Sequence, residues 1–214
     1  MLIEAVIFDL DGVICSTDQY HYQAWRTIAD RLGIPFDERV NARLRGVGRM
    51  ESLEIVLGQN GKNFSQEEKE RLAEEKNRIY QHLLQKITPA DLAAETSEVL
   101  GALRALGLKL AVGSSSRNTV LILRRLGLDS FFDAVADGTQ ISRSKPDPEV
   151  FLLAASLLRV QPSRALVVED APAGIEAAKA GGFLSVGLGD AVHASGSDDW
   201  IAALKELPRI CLGR

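Results

Sequence analysis

The stretch Ala5-Val6-Ile7-Phe8-Asp9-Leu10-Asp11-Gly12-Val13-Ile14 decides how the chain folds. A short apolar run beside a Gly suits a strand buried on both faces. In an extended chain, residues two apart point the same way, so Asp9 and Asp11 share a face. Two close like charges repel, and burial raises the cost, so a hard cation such as Mg2+ is the obvious compensation. An ionised Asp carboxylate can attack phosphorus without a base, and a neighbouring Asp with a raised pKa can shuttle the proton. Gly12 lets the chain leave the strand sharply. Taken alone, the same D-x-D-G run is more simply a strand ending in a polar turn.

The 214 residues suffice for one large or two small domains. A hydrophobic share of 46% with 25% charged residues is that of an ordinary globular protein. The formal net charge of -4, with no Lys/Arg-rich run, argues against nucleic acid as a partner. No apolar stretch approaches a membrane span, and the N-terminus enters a strand at once, so neither membrane nor secretion is expected. Cys15 and Cys211 match no metal spacing, which fits a reducing cytoplasm. There is no internal repeat or low-complexity segment, and the three His form no zinc pattern. The run from Gly58 to Lys62 lacks the spacing and the Ser/Thr of a P-loop.

After the first strand, apolar residues at three- and four-residue steps (Tyr22, Trp25, Ile28, Ala29, Leu32) predict a helix over 15–32. The chain then stays polar and helical to about residue 87, with a capping-box signature at Ser65-x-x-Glu68. From residue 88 the texture alternates. Helices are expected over 99–106, 115–126, from Asp147-Pro148 onward, and over 172–180. Strands are expected over 108–112, 134–136, 165–168 and 184–186. Such alternation means a doubly wound α/β core, a parallel sheet with helices on both faces. The domain expectation is a core of 1–15 and 88–214, interrupted by a helical cap of 16–87.

Ligands of open parallel sheets bind at the carboxyl ends of strands. Four such ends carry suitable groups. Asp9 and Asp11 are the first. Gly113-Ser114-Ser115-Ser116-Arg117-Asn118 offers hydroxyls and backbone N–H groups for a phosphate, although Ser is also a favoured helix cap. Lys145, in Ser144-Lys-Pro-Asp-Pro, is a possible phosphate counterion, although a lone loop Lys is more often solvated. Glu169-Asp170 closes another buried strand, and with Asp9 and Asp11 completes the all-oxygen set that Mg2+ prefers.

These residues in this order resemble the haloacid dehalogenase superfamily. Its pattern is an Asp-x-Asp strand end, a Ser/Thr strand end, a Lys and an acid pair. The helical block after the first motif resembles the cap of one large branch. Further runs resemble the β-phosphoglucomutase-like family: Tyr20-His21, Ala24-Trp25, Leu44-Arg-Gly-Val-Gly-Arg49 with Glu51-Ser52-Leu53, Lys76-Asn77, and Thr88-Pro-Ala-Asp91. The resemblance implies that Asp9 carries a phosphoryl group and Asp11 is the general acid and base. It puts Mg2+ on Asp9, the Asp11 backbone carbonyl and Asp170, with Glu169 close by. Ser114 and Lys145 would hold the transferring phosphate, and Arg49, Ser116 and Asn118 the distant one, with Arg117 where a basic residue is expected. His21, Trp25, Gly46, Val47, Ser52 and Lys76 would contact the sugar or support the closed cap. From the residues alone, Trp25 falls on an apolar stripe and suits core packing, Arg49 suits a solvated surface position, and His21 suits an amphipathic position beside a helix.

The chain departs from the pattern at Ser16, where an acid is often found, at Gly48, which replaces a hydroxyl residue, and at Ala94-Glu95, which replaces a Pro-Gly turn. None removes a group the chemistry needs. The implied activity is a monomeric, cytoplasmic mutase interconverting β-D-glucose 1-phosphate and glucose 6-phosphate through a bisphosphate. A sugar-phosphate phosphatase would share the same core, and a non-catalytic sugar-phosphate-binding protein is the reading from another class.

Overall fold

The computed structural model describes residues 3–44, 47–189, 193 and 196–213. Internal packing divides the chain into two compact units, Met1–Ser16 with Thr88–Arg214, and Thr17–Ile87.

The Thr17–Ile87 unit carries four α-helices among the described residues: α1 (Asp18–Arg31), α2 (Glu38–Ala42), α3 (Arg49–Leu57) and α4 (Gln66–Leu84). Trp25, Ile28 and Ala29 of α1 meet Leu53, Val56 and Leu57 of α3 and Leu72 and Ala73 of α4 in one core. These positions recur at three- and four-residue steps, so each helix turns an apolar stripe inward. The polar stretch of α4 is solvated at Glu67, Glu70, Arg71 and Glu74. Its start is fixed by a complete capping box, with Ser65 and Glu68 each accepting from the other's backbone N–H. The first helix begins at Asp18 rather than at residue 15. Residues 10–15 are drawn into a tight loop instead, with Gly12 N–H donating to Cys15 O at 2.7 Å and Cys15 N–H to Leu10 O at 3.1 Å.

The other unit is built on six parallel strands: β1 (Ala5–Phe8), β2 (Lys109–Gly113), β3 (Ala134–Ala136), β4 (Ala165–Glu169), β5 (Leu184–Leu188) and β6 (Asp199–Ile201). Their order is β3-β2-β1-β4-β5-β6. Every residue of β1 and β4 is buried, which is why both read as continuous apolar runs. Among the described residues, its α-helices are α5 (Ala94–Ala105), α6 (Thr119–Arg125), α7 (Glu149–Leu158), α8 (Pro172–Ala180) and α9 (Leu207–Leu212). Phe151 and Ala154 of α7 and Ala177 and Ala178 of α8 pack against Ala5, Ile7, Ala111 and Val167 of the sheet. The alternate residues Val6, Phe8, Leu110 and Val112 point to the opposite face and are equally inaccessible. The doubly wound α/β core is therefore the fold observed.

Several elements differ from expectation, among them α5, which begins at Ala94 rather than at residue 99, and α9, which lies where no helix is expected. The helix anticipated from residue 115 starts at Thr119, because Ser114 Oγ accepts from Ser116 N–H and Ser116 Oγ from Asn118 N–H, both at 3.2 Å. Such side-chain turns compete with helix. The edge strand β6 was not expected, since three residues are too few to show alternation.

Candidate active site

The sheet register assembles the centre. Phe8 of β1 lies level with Val112 of β2 on one side and Val168 of β4 on the other. The next residue on each strand is Asp9, Gly113 and Glu169, and Asp9 N–H donates to Val168 O at 2.9 Å. Three strand ends thus converge where the order reverses direction, the usual place for a ligand in such sheets.

Asp9, Glu169 and Asp170 each offer a carboxylate oxygen within 4.8 Å of the others. Lys145 is the counterion. Its Nζ donates to Asp9 Oδ1 and, at 2.5 Å, to Glu169 Oε1, and it lies 4.4 Å from the centre of the Phe151 ring. The Lys145 side chain is 1% exposed, so the loop Lys that base rates would leave in water is instead enclosed. Burial opposes its charge, but Asp9 and Glu169 outweigh this and hold the ammonium above its ordinary pKa. Glu169 Oε2 also accepts from Ala171 N–H at 2.9 Å. The carboxylate of Asp11 is not part of the three-acid cluster; its backbone bridges to Cys15 in the loop after β1. The Cys15 thiol is pushed well up by burial and by the charges of Asp11 and Asp9, which keeps it protonated and unreactive.

Two glycines make the cluster possible. Gly12 has φ +92°, and a Cβ there would overlap the Asp170 carboxylate. A Cβ at Gly174 would overlap the Glu169 carboxylate. Phe151 beneath Lys145 and the clearance at both glycines are features that sequence reasoning missed. The clearance at Gly12 arises from long-range approach, whereas Gly174 and Phe151 lie five and six positions from the charged residues they adjoin.

Ser114, at the end of β2, is buried, as is Asn118, while Arg117 is exposed. The helical unit holds its own set. Arg49 opens α3 and pairs with Glu74 at 3.5 Å. Ser52 is buried, Val47 is half-buried, and Gly46 lies outside the described residues. Trp25 is core, as its stripe predicts, at 1% exposure. His21 and Lys76, 55 positions apart, meet at 2.8 Å between His21 Nδ1 and Lys76 Nζ.

The three-acid cluster is short of positive charge. Burial, then the charges of Asp9 and Glu169, push Asp170 up to about 8. Burial pushes Glu169 up to about 7, against the pull of Lys145. Oxygen ligands under mutual repulsion fit a divalent cation. A thermal consequence follows from the sign of these shifts. Both folded carboxyls hold a proton more tightly than in the unfolded chain, where they titrate near 4. Between about pH 4 and pH 8 these two groups bind more protons in the folded state, and their contribution to stability falls as pH rises. Without added metal, the melting temperature is expected to drop from pH 5.5 to pH 8. Millimolar Mg2+ should raise it, and more at pH 8 than at pH 5.5, because binding requires the ionised forms. A thermal scan that shows no Mg2+ effect at either pH would count against the cation site.

A family model of haloacid dehalogenase-like hydrolases matches residues 3–182. The chain belongs to this family. Members with a similar sequence include a β-phosphoglucomutase of Bacillus subtilis (strain 168), 44% identical over 198 residues, covering 92% of this chain and 88% of that protein. A phosphorylated-carbohydrates phosphatase of Thermotoga maritima is 37% identical, covering 85% of this chain and 82% of that protein. A β-phosphoglucomutase crystal structure from Clostridium difficile superposes with a TM-score of 0.91 at 37% identity, covering all of both chains. Within the haloacid dehalogenase-like family, this chain is thus of the β-phosphoglucomutase-like kind. Among the described residues, no helix is long and apolar enough to cross a membrane.

Proposed function

We propose that the protein is a phosphoryl-transfer mutase that interconverts β-D-glucose 1-phosphate and glucose 6-phosphate. The observation that carries phosphoryl transfer is the enclosed Asp9–Lys145–Glu169 array beside Asp170. In the proposed cycle, phosphorylated Asp9 gives its phosphoryl group to a sugar hydroxyl, whose proton passes to Asp11. The resulting bisphosphate turns round. Asp9 then takes the other phosphoryl group, and Asp11 returns the proton to the leaving oxygen. Mg2+, held by Asp9, Asp170 and the Asp11 backbone carbonyl with Glu169 close by, would offset charge on the transferring group. Lys145 and Ser114 would bind the oxygens of that group, work that is mostly electrostatic in such reactions. Arg49, Ser116 and Asn118 would hold the distant phosphate, with Arg117 adding positive charge nearby. His21, Lys76, Val47, Ser52 and Gly46 would meet the sugar or keep the cap closed over it. The helical unit 16–87 would be that cap, keeping water from the phosphorylated Asp9. The protein would act as a monomer in the cytoplasm, where two unpaired cysteines are at home.

The similarity to the B. subtilis mutase over nearly the whole chain favours this reading. The similarity to the T. maritima phosphatase keeps hydrolysis as the second one. They separate by product. With β-glucose 1-phosphate, Mg2+ and a trace of the bisphosphate, a mutase yields glucose 6-phosphate and little inorganic phosphate; a phosphatase yields the reverse. Arg49→Ala should lower isomerisation about 10- to 100-fold, the scale of a lost charge-assisted contact, and leave hydrolysis of a simple phosphate ester nearly unchanged. Equal losses in both assays would favour the phosphatase.

A further inference from the structure

Four side chains in the helical unit form a second arrangement that the proposed chemistry does not explain. Lys76 is 4% exposed, and its Nζ sits 4.8 Å from the centre of the Trp25 ring and 4.6 Å from that of Tyr80. The Tyr80 ring also lies against His21, with centroids 4.0 Å apart and planes tilted by 35°. Tyr80 is itself 1% exposed, and its hydroxyl shares a 2.7 Å hydrogen bond with Thr17. That bond holds the ring from its far end.

Aromatic faces attract a cation and do nothing for a neutral amine. Two of them around one Nζ therefore favour the ammonium form of Lys76. An ammonium group has donors and no acceptor. At 2.8 Å from His21 Nδ1, it can only donate, and Nδ1 must present a lone pair. The remaining ring proton is then on Nε2. We infer that Trp25 and Tyr80 hold Lys76 as an ammonium donor to His21 Nδ1, which locks His21 as the neutral Nε2–H tautomer and makes it a donor-only contact for a bound sugar phosphate. Trp25 and Tyr80 are then positioning residues, acting through Lys76. A donor-only imidazole recognises oxygen lone pairs, those of a hydroxyl or a phosphate, and offers nothing to a substrate N–H. In the same direction, burial and then the charges of Lys76 and Arg49 hold His21 well below its usual pKa. The substrate half of this inference rests on the reading that His21 meets the sugar; the tautomer does not.

The test is a long-range 15N–1H correlation spectrum of the His rings in the full-length, 15N-labelled protein at pH 7.5. The chain has only three His, so the His21 signals are identified by their loss in His21→Gln. A pure Nε2–H tautomer is expected. In Lys76→Met and Tyr80→Leu the tautomer preference should weaken, whereas Tyr80→Phe, which keeps the ring and removes the hydroxyl, should retain it. With β-glucose 1-phosphate, Tyr80→Leu should raise KM about 2- to 30-fold, the scale of a cation–π contact, with a smaller change in kcat. An Nδ1–H tautomer, an imidazolium ring, or a spectrum unmoved by Lys76→Met would overturn the inference. The spectrum is read without turnover, so its failure is distinct from a failure of the mutase assay.

Discussion

Asp9→Asn is expected to lower turnover by about 10,000-fold or more, below the reach of ordinary assays. An amide is a poor nucleophile and cannot carry the phosphoryl group, and no other carboxylate of the cluster replaces it. Glu169 Oε1 is engaged by Lys145 and Glu169 Oε2 by the backbone of Ala171. The fold should survive the change. Removing the Asp9 charge relieves repulsion that now raises both Glu169 and Asp170, and Lys145 keeps one anionic partner. The melting temperature without metal should therefore fall less between pH 5.5 and pH 8 than in the wild type. A calorimetric comparison checks this, and inactivity accompanied by unfolding would leave the nucleophile assignment without support from this variant.

Lys145→Met should do the opposite to the fold. It leaves two enclosed carboxylates, Asp9 and Glu169, facing each other with their shared counterion gone. Removing one side of a buried ion pair typically costs about 3–5 kcal/mol. Here the cost should grow with pH, since protonating one of the two acids is the cheapest relief and is lost as pH rises. Denaturant unfolding at pH 6 and pH 8 gives both numbers. Activity should fall about 1,000-fold or more, because the charge proposed to meet the transferring phosphoryl oxygens is missing. Mg2+ should recover part of the stability but not the rate. A variant as stable as the wild type at pH 8 would contradict the picture of Lys145 as the pin between two strand ends and a loop.

Much of this centre is legible in the sequence because a buried strand announces its own end. Ala5–Phe8 and Ala165–Glu169 are apolar runs that stop at acids, so Asp9, Glu169 and Asp170 could be placed at the carboxyl edge of a parallel sheet before any geometry was known. Lys145 was legible only as a loop residue in the right order. Its enclosure depends on Phe151, six residues further on in α7, and nothing local in Ser144-Lys-Pro signals that. The helix after β2 starts late because hydroxyl-to-backbone turns at Ser114 and Ser116 outcompete it, a choice that periodicity does not encode. Gly12 was read as a turn residue, and its φ of +92° bears that out, but its second task of making room for Asp170 requires a strand more than 150 positions away. The same holds for His21 and Lys76, which resemblance grouped with the sugar contacts without showing that they touch each other.

The proposed cycle depends on a phosphoryl group carried by the side chain of Asp9. The direct measurement is to mix the protein with Mg2+ and a hexose bisphosphate, quench in acid within the turnover time, digest, and locate the added mass by peptide sequencing in the mass spectrometer. The prediction is a single phosphoryl group on the Asp9 side chain in the wild type, absent from Asp9→Asn and from samples without bisphosphate. A phosphoryl group on any other residue, or steady formation of glucose 6-phosphate from a protein that never acquires the label, would contradict it.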